Sequence, residues 1–309
     1  MRKTDATPRS PAPVSLAPAG DPAFAPLYDP KLRWRVRQAR WQVKIRDAWI
    51  EQVVARLERR LLAHWAAQGA GSQWLEGRGL PRRAVEHCLG DALTLRVDPR
   101  QLIRSTDWRG YPYKLRPSSS AFLWDGEWDL RRGDLRFGSR YRLISDLDTH
   151  RDDLTYTERF ASLQARLAKG QPWASHQQGV LLDSEERILT YLRAYLGFLD
   201  HMAAHGFDTS RGKDELGVAV SREGRLIKIN RGLHRLAMAQ RLGLPSVPVR
   251  VMAVHRQWWQ RVVGGARGQA ALARVSDALG DCVPESDPGN RDPAAWPDTF
   301  EWPQRRHWS

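Results

Sequence analysis

A mixed α/β (α+β) fold, with a small mixed sheet and additional N-terminal helices, is what this sequence predicts. Three observations carry that expectation. Residues 214–255 read as strand, turn, strand, glycine-containing loop, helix and strand. Two earlier stretches, about 38–67 and 183–206, repeat apolar residues at helical spacing. Residues 92–105 alternate and then break at Asp98-Pro99. A chain of 309 residues that is 41% hydrophobic and 27% charged excludes a wholly disordered, collagen-like or polytopic membrane protein. No apolar run approaches the roughly 20 residues of a membrane-spanning helix. The basic start MRKTDATPRS is not followed by the apolar core of a secretory signal. The two cysteines, Cys88 and Cys282, cannot make a disulfide framework or a four-ligand zinc site by themselves. A cytoplasmic location follows, with no metal site expected from protein ligands alone.

Residues 1–30 are rich in Pro and Ala without a period and are expected to form a disordered arm. Residues 31–70 form a basic amphipathic helical segment. Its first part, KLRWRVRQARWQVKIR (31–46), has no acid before Asp47. Arg33, Trp34, Arg35, Arg37, Arg40, Trp41 and Lys44 are therefore the candidate contacts to a polyanion: nucleic acid bound without sequence preference, or the surface of an anionic membrane. The net charge of +14, with its basic excess in residues 1–150, agrees with such a partner. The predominance of arginine over lysine fits genome composition equally well. Beyond Asp47 the residues Trp49, Ile50, Val53, Leu57, Leu61 and Trp65 recur every three or four positions and predict a face packed on the core.

Thr155-x-x-Glu158 and Asp183-x-x-Glu186 have the form of capping boxes, each opening a helix, the first ending at Gly170 and the second at Gly206. The stripe Ile188, Leu192, Tyr195, Leu199 and Met202 on the second is expected to be core. Residues 264–309, with Gly, Pro, Asp and scattered Trp, are expected to be mostly a flexible tail.

The chemistry-bearing constellation is Asn230-Arg231-Gly232-Leu233-His234-Arg235, where a glycine precedes a helix with His and Arg in its first turn. Free N–H groups and the positive end of the helix dipole lie there, so cations cost a few tenths to about 1 kcal/mol unless an anion compensates. A phosphate held by backbone N–H groups and the forked guanidinium would offset that cost. Pairing with Asp214 or Glu215 is the structural alternative.

The segment GRLIKINRGLHRLAMAQRLGLPSVPVRV (224–251) resembles the signature of the ParB/sulfiredoxin superfamily: a strand, a Gly-x-His-Arg loop, a helix with small residues (Ala237, Ala239) and a strand reading Val-Pro-Val. Asp214-Glu215, His255-Arg256-Gln257-Trp258, Gly126-Glu127-Trp128-Asp129 and Val97–Leu102 fit an uncharacterised ParB-like branch of it. The resemblance implies a domain over 71–263 with a helical insertion and a core motif at 214–258, binding a nucleoside triphosphate such as ATP, or another phosphorylated small molecule, with Mg²⁺. Phosphotransfer of the kinase kind is the reaction it implies. Asn230, Arg231, Gly232, His234 and Arg235 would hold phosphate, and Glu215 and Asp129 would be the candidate base or Mg²⁺ ligand. Two departures narrow it. The reactive cysteine of sulfiredoxins is Leu233 here, which excludes attack by a thiolate. The Asp that precedes the glycine in the serine kinases is Arg231. The helix-turn-helix reader of partition proteins is not expected in the residues after Trp259. The alternative function is a non-enzymatic nucleic-acid-binding protein that uses the basic N-terminal helix.

Overall fold

The computed structural model describes residues 22–108, 112–175, 179–210, 215–229, 232–287 and 300–305. In chain order the helices are α1 (Arg33–Trp49), α2 (Ala55–Ala66), α3 (Ser72–Gly77), α4 (Arg82–Leu89), α5 (Ser139–Thr149), α6 (Glu158–Ala168), α7 (Glu185–His205), α8 (Leu233–Leu242), α9 (Arg256–Val263) and α10 (Gln269–Leu279). The strands are β1 (Thr94–Val97), β2 (Arg104–Thr106), β3 (Leu123–Trp124), β4 (Arg132–Asp134), β5 (Trp173–Ser175), β6 (Val180–Leu182), β7 (Gly217–Val220), β8 (Arg225–Lys228), β9 (Val247–His255) and β10 (Val283–Pro284). The protein is thus mixed α and β.

The main sheet runs β1-β9-β7-β8-β2-β4, with β3 beside β9 and β10 beside β8. Parallel pairs (β7–β9, β8–β2) and antiparallel pairs (β1–β9, β7–β8, β2–β4) alternate along it. β5 and β6 form a separate antiparallel pair. The β7–β8 hairpin turns through Gly224, whose φ of 92° suits glycine. α8 then crosses from β8 to β9 on the far side of β7 and ends at Gly243 in the left-handed region.

Side-chain alternation gives the sheet two faces. Val218, Val220, Leu226, Val249 and Val251 join the main core with the helices, while Ala219, Ile227 and Ala253 meet Trp124 and Trp128 on the other face. A second core joins α5, α6 and α7 to Phe24 and Leu27. The expected stripe on α7 divides between them: Ile188 and Leu192 lie in this core, Leu199 and Met202 in the main one.

Several boundaries differ from expectation. Residues 22–27 are a short 3-10 turn rather than part of a disordered arm, because Phe24 and Leu27 are buried against α7. The helix expected near residue 38 begins at Arg33 and passes through a π turn (Ile50–Val54) into α2. The capping residues are Thr157, which accepts from the Phe160 N–H at 3.1 Å, and Ser184, which accepts from that of Arg187 at 3.3 Å. Thr155 instead donates to Asp153.

The described residues of the expected tail, 264–287 and 300–305, pack on the rest of the protein. Ala271, Leu272, Val275 and Leu279 of α10 enter the main core, β10 extends the sheet, and Phe300 and Trp302 pack on Tyr141.

The apolar face predicted for 49–65 is also redistributed. Trp65 and Leu62 are buried, whereas Trp49, Val53, Leu57 and Leu61 are exposed. Each step of four residues advances about 40° around an α-helix, so 53, 57, 61 and 65 do not share one face, and the π turn, with more residues per turn, shifts the phase between the helices on either side of it. Trp65 is fixed because its indole and that of Trp259 both donate to the Glu76 carboxylate at 3.1 Å.

Candidate anion site at three helix starts

Gly232 precedes α8 with φ 68° and ψ 23°, and it supplies no side-chain cap. A Cβ there would stand 2.7 Å from Leu216 Cδ2 and 3.2 Å from the Glu215 carbonyl oxygen. The glycine is therefore required by the loop's packing on residues 215–216. Asn230 and Arg231, together with Asp214, lie outside the described residues.

His234 and Arg235 part company because successive residues are turned by about 100° on a helix. Arg235 folds back over the Phe207 ring, 4.2 Å from its centroid, and donates to the Asp208 carbonyl. Burial lowers its pKa. It lines neither of the two cavities beside α8, so its expected role as a phosphate ligand does not follow from its position. His234 faces the other way and packs against Tyr195, ring centroids 5.4 Å apart. Burial, then the nearby Arg140 and Arg159, push its pKa down to about 4, so the imidazole is neutral at physiological pH.

Around His234 three helices begin. Each carries a basic residue at its second position: Arg140 on α5, Arg159 on α6 and His234 on α8. α5, like α8, starts after a glycine that supplies no cap, Gly138. All three residues line a cavity of about 490 Å³, to which Trp173, Tyr191 and Tyr195 also contribute. A second cavity of about 390 Å³ shares Ser139 and Arg140 with it and extends over β2 and β4 to Thr106 and Trp108. The Thr106 hydroxyl is buried there without a hydrogen-bond partner among the described residues.

Among the described residues, no carboxylate forms an ion pair with Arg140 or Arg159. Two acids do line the larger cavity, Asp146 and Glu158. Asp146 is already engaged, accepting from the Glu158 N–H at 2.8 Å and lying 3.0 Å from His150 Nδ1. Arg142 also lines the cavity, so three arginines face two acids there, and helix dipoles point their positive ends at that excess. Ser139, Arg140, Arg159 and the aromatic lining were not legible in the sequence. The rule that singled out His234, a cation just inside a helix start, also picks out Arg140 and Arg159 once the helix boundaries are known.

The two candidate acids lie elsewhere. Asp129 is buried at the turn end of the β7–β8 hairpin, opposite the end from which α8 departs. Its carboxylate accepts from Arg222 Nε at 2.9 and 3.1 Å, from Arg222 Nη2 at 2.7 Å and from the Arg222 N–H at 2.9 Å. Burial pushes the carboxyl up, but the Arg222 hydrogen bonds and charge outweigh it and hold the pKa below the usual range.

His255 caps α9, its Nδ1 accepting from the Gln257 N–H at 3.0 Å, while Nε2 donates to the Gly126 carbonyl at 3.0 Å. The Gly126–Asp129 and His255–Trp258 motifs therefore meet in space, as a structural tie. Asp129 thus lies in that tie, both of its carboxylate oxygens engaged by Arg222, and it lines neither of the two cavities beside α8. Glu215 is exposed and reaches Arg250 Nε at 4.0 Å. Its side chain lines neither cavity, so the structure does not bring Glu215 and Asp129 together.

Among the described residues no three His, Cys, Asp or Glu side chains gather to hold a metal ion. The basic residues of 33–46 lie on α1 and, like Lys31 in the turn before it, line neither of the two cavities. Compared with known proteins, the chain matches no family model, no curated protein and no solved structure.

Proposed function

We propose that the protein binds a phosphorylated small molecule, with a nucleoside triphosphate as the leading class, in the cavity between α5, α6 and α8. The observation that supports this reading most is the convergence of Arg140, Arg159 and His234 on one cavity from three helix starts. Each is a cation, or a group able to become one, at the end of a helix where cations are unfavourable. A phosphate would offset the unfavourable placement of both arginines and favour the imidazolium form of His234, accepting hydrogen bonds from the two guanidinium groups and from the uncapped first turns of α5 and α8.

Trp173, Tyr191 and Tyr195 supply a surface on which a base could stack. The adjoining cavity has room for an acceptor, and the Thr106 hydroxyl offers it a hydrogen bond. The volumes lie in the range of small-molecule sites, roughly 300–1,000 Å³. The resemblance of residues 224–251 to the ParB/sulfiredoxin superfamily favours the same reading and adds phosphotransfer as the reaction class. In this reading any Mg²⁺ arrives on the phosphates.

Calorimetric titration with ATP, ADP, CTP and pyrophosphate, with and without Mg²⁺, tests the proposal. Saturable binding of at least one of them, weakened by added salt, is expected. The absence of binding by all four would overturn the nucleotide reading.

A further inference from the structure

Among the described residues, the long N-terminal helix is buried mainly towards its two ends. Leu32 and Val36 are buried at the start, where the Asp29 N–H donates to the Gly179 carbonyl at 3.0 Å. Glu58, Leu62 and Trp65 are buried near the other end, with Arg83 Nη1 3.2 Å from the Glu58 carboxylate. Between them, every residue from Trp41 to Trp49 is exposed. At 100° per residue, Trp34, Trp41, Ile45 and Trp49 fall within about 80° of one another, a stripe about 22 Å long. The three indoles are 72%, 68% and 62% exposed. Arg37 and Lys44 flank one side of the stripe, and Arg35 and Arg46 the other.

We infer that this helix lies on the surface of an anionic lipid bilayer, with the Trp34–Trp41–Ile45–Trp49 stripe in the headgroup–acyl boundary and the flanking cations on the lipid headgroups. An apolar stripe with basic margins is the arrangement of interfacial helices, and indoles are at home where an apolar body meets a wet edge. A second copy of the helix fits poorly, because residues 31–46 carry no acid to oppose the basic residues of a partner. Nucleic acid fits less well than lipid: Ile45, in the middle of the stripe, cannot stack on a base, and the cations stand at the margins. No helix among the described residues is long and apolar enough to cross a membrane, so the contact is peripheral.

The test is co-sedimentation of the full chain with phosphatidylcholine vesicles, with and without about one-third phosphatidylglycerol. Binding to the anionic vesicles only is expected. Trp41→Ala/Ile45→Ser and Arg37→Gln/Lys44→Gln should each weaken it about tenfold or more. All four positions are exposed and outside the cavities, so the melting temperature and nucleotide affinity should not change. Failure here would therefore be distinct from failure of the anion site. Three results would overturn the inference: no binding to anionic vesicles, binding indifferent to both double variants, or a random-sequence oligonucleotide that displaces the vesicles and binds Ile45→Ser unchanged.

Discussion

Replacing both Arg140 and Arg159 with glutamine should weaken binding of ATP or pyrophosphate by about a hundredfold, and each single change by about tenfold, because each removes a charge-assisted contact to phosphate. The same changes should leave the free protein as stable as before, or raise its stability by a few tenths to about 1 kcal/mol per site, since an unfavourable cation at a helix start is lost. Loss of ligand affinity combined with unchanged or higher melting temperature is a signature that general damage to the fold does not produce. Calorimetric titration and thermal melts of the three variants read both quantities. Undiminished affinity in the double variant would remove the arginines from the site.

Asp129→Ala should destabilise the protein by about 3–5 kcal/mol. It leaves the Arg222 guanidinium, mostly buried against the turn, without its carboxylate, and the Arg222 N–H without its acceptor. Asp129→Asn should cost less, because an amide oxygen can still accept from the N–H. Since the folded pKa lies below its ordinary value, the stabilisation is present at neutral pH and is lost as pH falls through the folded pKa. Urea denaturation across acid pH checks this, and the wild type should lose more stability in acid than Asp129→Asn. If Asp129→Ala instead folds as well as the wild type and fails to bind nucleotide, Asp129 belongs to the ligand site after all.

What could be read from the sequence was what local signals encode. The β7–β8 hairpin, α8 and β9 are bounded by Gly224, Gly232, Gly243 and Pro245, and the structure places those elements within a residue or two of expectation. Strands β2, β3 and β4 are two or three residues long and exist through pairing with distant partners, so no periodicity marks them. α10 escaped because its buried positions include a small residue, Ala271, within a Gly-rich setting. Its start also depends on a distant neighbour, since a Cβ on Gly268 would stand 2.2 Å from the Ala66 carbonyl oxygen.

The anion site was half legible for the same reason. The cation at the start of α8 is a local feature, whereas its meeting with Arg140 and Arg159 requires α5 and α6 to be packed beside it. The helix at 33–66 shows the converse. Its composition was plain, but which of its apolar residues would be buried depended on drift around the helix and on the π turn.

The proton affinity of His234 tests the central claim most directly, because this imidazole faces the cavity between the three helix starts. Proton NMR titration, with the resonance assigned by its loss in His234→Gln, should give a pKa near 4 in the free protein. Saturating ATP or pyrophosphate should raise it, since a bound anion favours the imidazolium, and affinity should increase correspondingly as pH falls. A His234 pKa that stays near 4 while the ligand is demonstrably bound would place the anion elsewhere and contradict the account.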